Sequence, residues 1–172
     1  MLDASLAERF ADADNAPERL TALYAYVLAA TTLEHRAAAV VLHQLLEPAC
    51  GSMISTGISL NPSVDHACAL CALVSSSWEL AATHLDSATE LHRRLGARRF
   101  IAATALLRGE LELRRPGGSS IAALALANEV AQFAAGRPLK RLLDGAIALE
   151  ARASAAAAAP GRVSTNLTPG TP

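Results

Sequence analysis

The stretch Trp78–Phe100, WELAATHLDSATELHRRLGARRF, decides the fold that the sequence predicts. Its polar residues occupy one side of a helix, and Arg93 and Arg94 in the last turn suit the helix dipole. Gly96 suits the position just after a helix end, where a left-handed backbone is common. The apolar residues recur at three- and four-residue steps and form one face: Trp78, Ala81, Leu85, Ala88, Leu91 and Leu95.

A second helix is predicted to begin near Ala97, directly after this turn, with Phe100, Ala103, Leu107 and Leu111 on its apolar face. Two amphipathic helices joined by one short turn pack against each other as a helical hairpin. Ser76 and Glu79 stand three residues apart before the first helix, which predicts a capping box at its start.

Another hairpin is predicted before this one. Pro17 suits the first turn of a helix, and a second capping box, Thr31 with Glu34, is expected to open the helix that follows. Pro48 and Gly51 end the pair. The inward-facing residues are expected to be Leu20, Leu23, Tyr24, Val27 and Leu28 in the first helix, and Ala38, Val41, Leu42 and Leu45 in the second.

The segment 49–62, ACGSMISTGISLNP, is predicted to be a long connector because it is rich in Gly and Ser. A helix over Val64–Ser75 follows and pairs with the Trp78 helix. After the third front helix, the run from Arg115 to Ser120 forms a turn, and Ser119 or Ser120 caps a helix that extends to about Ala135. Gly136 and Pro138 separate it from a last helix, whose inward face is Leu139, Leu142, Leu143, Ala146 and Leu149.

A faint internal repeat links these hairpins. Ala38, Leu42 and Leu45 recur as Ala81, Leu85 and Ala88 after 43 residues, and again after 42 residues as Ala123, Ala127 and Val130. The fold class predicted is all-α: a tetratricopeptide-like α-solenoid of about three antiparallel helical hairpins. The repeat domain is expected to span residues 1–155, with a short first helix carrying Leu2, Leu6 and Phe10. Residues 156–172, rich in Ala, Pro and Thr, are expected to be disordered.

Composition excludes several classes of function. The chain has 172 residues, is 52% hydrophobic and carries a net charge of −1, so no electrostatic footprint for nucleic acid or an anionic membrane is expected. No apolar run reaches the roughly 20 residues of a membrane-spanning helix. The N-terminus is unlike a signal peptide, and three cysteines indicate a reducing compartment. A cytoplasmic location is expected.

The Trp78 stretch also resembles a known family. Trp78-Glu79-Leu80-Ala81, His84-Leu85 and the run from Leu91 to Arg98 resemble one repeat of the tetratricopeptide-like C-terminal region of large LuxR-type bacterial regulators and related multidomain ATPases, some fused to cyclase domains. Arg99 stands where that family usually has Pro. The resemblance extends more loosely from about Leu20 to about Glu150, and it implies a helical-repeat fold with no catalytic residue.

Metal-binding and redox chemistry have one candidate motif, His66-x-Cys68-x-x-Cys71. On a helix, His66 points roughly 200° away from Cys68, a structural zinc site wants four ligands, and only the distant Cys50 remains to add. A redox C-x-x-C is expected at a helix start after a strand, and no strand is predicted there. The two cysteines are therefore interpreted as small core residues, and no metal ligand is predicted.

Catalytic motifs are also missing. The five histidines fall within predicted helices, and none belongs to an H-E-x-x-H pattern; G-x-S-x-G and the phosphate-loop pattern do not occur, Gly51 and Gly57 having no Lys after them. Hairpin-interface or surface positions are expected for these histidines. No catalytic residue and no cofactor are predicted, and the chain is expected not to be an enzyme.

The function predicted is a protein-interaction or regulatory module, resembling the signal-receiving repeats of a LuxR-type transcriptional regulator without its ATPase and DNA-binding domains. Leu167-Thr168-Pro169 matches the opening of that family's DNA-binding domain. The alternative is a small-molecule sensor with a pocket between hairpins. A protein partner or self-association is expected, with no direct nucleic-acid or membrane contact. The candidate partner-binding residues are Arg93, Arg94, Arg98, Arg99, Leu139, Leu142 and Leu143.

Overall fold

The computed structural model describes residues 16–56 and 58–158. The described chain is mostly helical, as predicted, and the predicted N-terminal helix, the Leu-Thr-Pro motif and residues 159–172 lie outside it. Its seven α-helices are α1 Ala16–Thr32, α2 Arg36–Leu46, α3 Val64–Val74, α4 Trp78–Arg94, α5 Arg98–Arg114, α6 Ser120–Ala134 and α7 Lys140–Ala158. Helix α7 therefore continues three residues past the predicted domain boundary at 155.

Helix α3 is the centre of the molecule. Every residue from Val64 to Val74 is buried, because α1, α2, α4 and α5 all pack around it. Each helix packs against the next one along the chain, and α1, α3, α5 and α7 also pack on one another. The even-numbered helices approach one another less closely, so gaps are left between α2 and α4 and between α4 and α6. Within the described ranges, no helix combines the length and the apolarity needed to cross a membrane.

The predicted connector contains structure of its own. A one-turn 3₁₀ helix, Glu47–Ala49, is followed by two short antiparallel strands, β1 Met53–Ser55 and β2 Leu60–Ser63, with Met53 opposite Ser63. Strand β2 runs directly into α3, so the expectation that no strand precedes the cysteine motif was wrong. Ile54 is fully buried in the core beside α1 and α2, which anchors the hairpin.

Both predicted capping boxes were wrong, for one physical reason. Glu34 and Ser76 have φ values of 49° and 60°, so each lies after the end of the preceding helix and cannot begin the next. In each case the next residue donates its N–H to the carbonyl five residues earlier, His35 to Ala30 O and Ser77 to Ala72 O, as in a Schellman motif. Gly96, with φ of 62°, makes the same turn as predicted.

The actual helix starts differ from the predicted ones. His35 caps α2 by accepting the Ala38 N–H at its Nδ1, so this histidine precedes its helix instead of lying within it. Helix α4 begins after Ser77 without a side-chain cap. Ser119 caps α6 as predicted, accepting the Ala122 N–H at 3.1 Å.

Most of the predicted apolar faces are confirmed. Leu23, Val27, Ala81, Leu85, Ala88, Phe100 and Leu111 are buried, as are the repeat positions Ala123, Ala127 and Val130. Two positions were wrong: Leu28 is 44% exposed and Leu95 is 56% exposed. Leu95 is the C-cap residue of α4, the last position before the turn.

Helices α5 and α7 approach closely at two glycines. A Cβ at Gly109 would lie 2.4 Å from Leu149 Cδ2, and a Cβ at Gly145 would lie 3.0 Å from Leu106 Cδ1. Leu149 is completely buried, so it has no open space into which to move. Each helix thus supplies one glycine and one leucine to the contact.

The left-handed turn residues predict a pair of opposite stability effects. Replacing Ser76→Gly removes the steric cost of a positive φ and is expected to raise the free energy of unfolding by about 0.5–1 kcal/mol. The matched reverse change is Gly96→Ser, at an equivalent turn where a Cβ meets no atom. It adds the steric cost of a positive φ and is expected to lower the free energy of unfolding by a similar amount. Urea denaturation measures both; an unchanged or reduced stability for Ser76→Gly would contradict the explanation.

Candidate functional site

Two features between the helices carry the candidate chemistry. One is a cluster of His and Cys side chains between α2 and α4, hereafter the His–Cys cluster: His43, Cys50, Asp65, Cys68 and His84. The other is a groove between α4 and α6 with α5 as its floor, hereafter the α5 groove. A buried hydrogen-bonded chain, Ser63–His92–Thr104–His66, lies between them.

The His–Cys cluster joins four separate segments. His43 comes from α2, Cys50 from the turn after the 3₁₀ helix, Asp65 and Cys68 from α3, and His84 from α4. The Nε2 atoms of His43 and His84 lie 2.9 Å apart, and the Sγ atoms of Cys50 and Cys68 lie 3.8 Å apart. Cys50, which the sequence had placed far from Cys68, is therefore beside it.

The geometry groups the ligand atoms into two sets that share one histidine. The ligand atoms of His43, Cys68 and His84 all lie within 4.8 Å of one another, and so do those of Cys50, Asp65 and His84. Asp65 Oδ1 lies 3.6 Å from His84 Nδ1, while Asp65 Oδ2 accepts the Gly51 N–H at 2.7 Å. Cys71 belongs to neither set, so only one cysteine of the H-x-C-x-x-C motif takes part.

Burial governs the protonation of this cluster. Burial and the neighbouring Cys50 raise the pKa of Cys68 well above its usual range, and burial raises the pKa of Cys71 to about 12. Burial by itself raises the pKa of Asp65, but the contact with His84 and the Gly51 N–H outweigh it and leave the pKa lowered. Burial, then the proximity of His84, lowers the pKa of His43. The cluster therefore holds neutral thiols beside an ionised carboxylate.

The buried hydrogen-bonded chain has a defined direction. The Ser63 N–H can only donate, so His92 Nε2 accepts it at 3.0 Å and the neutral ring carries its proton on Nδ1. That Nδ1–H donates to Thr104 Oγ1 at 3.2 Å, and the Thr104 hydroxyl donates to His66 Nδ1 at 3.0 Å. Burial and the nearby His92 lower the pKa of His66 to about 3, so both rings stay neutral. His43, His66, His84 and His92 all lie at contacts between helices.

The α5 groove has a volume of about 530 Å³, and seven of its ten lining residues are charged or polar. Thr104 lies at its floor, and the Arg108 guanidinium donates to Asp86 across it. Both signs of charge are present on its walls. Its lining residues are Asp86, Thr89, Glu90 and Arg93 from α4, Ile101, Thr104, Ala105 and Arg108 from α5, and Leu126 and Glu129 from α6.

The predicted partner-binding residues do not form one surface. Arg93 lines the α5 groove, while Arg98 lies over the Phe133 ring at 5.9 Å and lines a smaller cavity with it. Arg99 lines a third cavity, of about 270 Å³, together with Leu139 and Leu142. Arg94 is exposed, and Leu143 is half-buried. Leu142 packs against the cluster of Ala102, Val130 and Ala146, so part of its surface is core.

Comparison with protein-family models, with curated proteins and with solved structures finds no match. The resemblance to the LuxR-type repeat region therefore rests on the sequence of Trp78–Arg98, and the structure places these residues on α4, the following turn and the start of α5. The cluster residues that sequence reasoning did not bring together with Cys68 are His43, Cys50, Asp65 and His84. Their only signal was residue type, because they are separated along the chain and meet through tertiary packing.

The buried hydrogen bonds of Thr104 predict that its hydroxyl stabilises the fold. Replacing Thr104→Val keeps the shape but leaves two buried histidine nitrogens without their partner, so the free energy of unfolding is expected to fall by about 1–3 kcal/mol. Thr83→Val, an exposed threonine that only bonds the Glu79 carbonyl, is the control and should change it by less than about 0.5 kcal/mol. Equal effects of the two substitutions in chemical denaturation would disprove the assignment.

The depressed histidine pKa predicts acid sensitivity. Because the pKa of His66 is about 3 in the folded chain and about 6.5 when unfolded, the unfolded state binds the extra proton between these values. The free energy of unfolding is therefore unaffected by this histidine above pH 6.5. Below pH 6.5 it falls with acidification, by about 1.4 kcal/mol per pH unit for this histidine. His92 and His43, whose pKa values are also lowered, act in the same direction. Urea denaturation at pH 7 and pH 5 should differ by about 2 kcal/mol or more; equal stabilities would contradict the buried neutral rings.

Proposed function

We propose that this chain is a non-enzymatic protein-interaction module, a short α-solenoid of three helical hairpins followed by one further helix. The sequential packing of α1 to α7 supports this, as does the closer approach of the odd-numbered helices, which curves a helical array and spreads the even-numbered ones apart. Such arrays bind partners along the elongated surfaces that their curvature creates. The resemblance of the Trp78–Arg98 repeat adds a regulatory role, in which the module receives a signal and passes it on through partners.

The α5 groove is the observation that carries this proposal. It lies in the gap between two hairpins and presents acidic side chains, Glu90 and Glu129, beside the basic Arg93 and Arg108. Small-molecule pockets are mostly apolar, whereas seven of the ten groove residues are charged or polar. A lining with both signs of charge suits a polypeptide segment that also carries both signs of charge. The occupant we propose is therefore a charged segment of a partner protein.

The small-molecule alternative has one supporting feature, the cavity between α5 and α6. It is lined by Ile101, Ala102, Val130 and Phe133, with Arg98 and Glu129 at its polar side. Its volume of about 160 Å³ is below the roughly 300–1,000 Å³ of typical ligand pockets. The cavity therefore fits a ligand less well than the groove fits a polypeptide.

The groove proposal predicts the effect of exchanging charges on α4. The double variant Glu90→Arg with Arg93→Glu keeps the net charge and the spacing of the pair but reverses the pattern that a partner meets. Proteins retained by the tagged wild-type chain from its own cells would be identified, and binding of the purified partner would be measured by calorimetry. The dissociation constant is expected to rise at least about tenfold.

The matched control is Lys140→Asp with Asp144→Lys, which exchanges the charges of an exposed pair on α7 that does not line the groove. It should bind as the wild type does. A groove variant that binds every partner with unchanged affinity, or a wild-type chain that binds none, would refute the proposal.

A further inference from the structure

The His–Cys cluster has the composition of a zinc site. Thiolate sulfur and imidazole nitrogen are the ligands that zinc prefers in structural sites, commonly as two Cys with two His, whereas Mg²⁺ and Ca²⁺ prefer oxygen. Cys50, Cys68, His43 and His84 supply that set from four segments of the chain. The Nε2 atoms of His43 and His84, which hydrogen-bond at 2.9 Å, point toward each other as two nitrogens bound to one ion would.

Two of the ligand separations are close to those of a tetrahedral zinc ion. Two sulfurs bound to one zinc ion at about 2.3 Å lie about 3.8 Å apart, and two nitrogens bound at about 2.05 Å lie about 3.3 Å apart. The Cys50 and Cys68 sulfurs are 3.8 Å apart, and the His43 and His84 nitrogens, 2.9 Å apart, need to separate by only about 0.4 Å. Cys68 lies in the same 4.8 Å group as both histidines, whereas Cys50 groups with Asp65 and His84. The exposed Cys50 turn must therefore move toward His43 for all four side chains to bind one ion.

Asp65 occupies the position of a supporting residue. Histidines that bind metal through one nitrogen usually donate the other N–H to a carboxylate, which fixes the ring and its tautomer. With His84 Nε2 toward the ion, its Nδ1 faces Asp65 Oδ1 at 3.6 Å. The second Asp65 oxygen is held by the Gly51 N–H, so the carboxylate is fixed to the same turn that carries Cys50.

Access to the cluster comes from the surface. Cys50 is exposed, whereas Cys68 is buried, so an ion can reach the inner ligands from the side of Cys50 and the turn can close behind it. Four protein ligands would leave no open coordination position, which is typical of a structural site.

We propose that His43, Cys50, Cys68 and His84 bind one zinc ion, with Asp65 positioning His84. Binding releases one proton from each thiol to solvent, giving two thiolates, and requires both histidines to carry their remaining proton on Nδ1. The ion links α2 and the Cys50 turn to α3 and α4, which joins the first hairpin to the second. This departs from the expectation of no metal, which set Cys50 aside as distant in sequence and did not bring His43 or His84 to the cysteines.

The test uses the full chain, purified under a thiol-free reductant, stripped with a chelator and titrated with Zn²⁺ alone. One zinc per chain is expected by elemental analysis, together with a higher melting temperature. Co²⁺ in place of zinc should give the visible bands of a tetrahedral ion and the near-ultraviolet absorption of cobalt–thiolate bonds.

Three variants make the test specific. Cys50→Ser, at an exposed position that does not affect the core, should weaken zinc binding at least about hundredfold and remove about half of the cobalt–thiolate absorption. Asp65→Asn should weaken binding by about 10–100-fold. Cys71→Ala removes a thiol from the same helix outside the cluster and should leave the stoichiometry and the spectrum unchanged.

Contrary results are equally clear. Substoichiometric zinc in the wild type, equal affinity for Cys50→Ser and the wild type, or loss of binding in Cys71→Ala would each overturn the proposal. Because Cys50 is exposed, its variant decides the question even if Cys68→Ser fails to fold. The α5 groove does not include these residues, so failure here leaves the proposed function standing.

Discussion

Complete burial of helix α3 is the constraint on which the rest of the structure depends. A helix with no solvent-exposed face must find a protein partner for every polar side chain that it carries, since a buried polar group without one costs about 1–3 kcal/mol. Asp65 and His66 are the polar residues in its first turn. The Gly51 N–H and His84 satisfy the first, and Thr104 satisfies the second. The turn after α2, helix α4 and helix α5 are thereby tied to one end of α3.

This constraint connects the two features that carry the proposals. The spread of the even-numbered helices leaves one gap on each side of α4. The gap toward α2 is filled by the His–Cys cluster, while the gap toward α6 stays open as the α5 groove. Thr104 lies at the floor of the groove and also bonds His92 and His66. The open gap is therefore supported from below by the same polar end of α3 that borders the filled one.

Sequence alone predicts the helices well because their apolar faces repeat at a helical period. The Trp78 stretch predicts α4 and its glycine turn, and the buried positions Ala81, Leu85 and Ala88 follow directly from spacing. The cluster could not be predicted, because Cys50 meets Cys68, and His43 meets His84, only after two hairpins have packed. The capping boxes failed because a residue pattern does not distinguish the first residue of one helix from the last turn of another. Glu34 and Ser76 fill left-handed positions where glycine would be expected.

The close approach of α5 and α7 has a consequence for how this sequence can vary. Gly109 receives Leu149, and Gly145 receives Leu106, so each helix holds both the projection and the recess that receives it. A larger residue at Gly109 would require Leu149 to move, and Leu149 is fully buried, whereas a larger residue at Gly145 would meet the end of the partly buried Leu106. A shift of α7 by one turn would separate both pairs at once. The distance between α5 and α7 is therefore set by these four residues, and exposed residues elsewhere on the two helices can change without altering it.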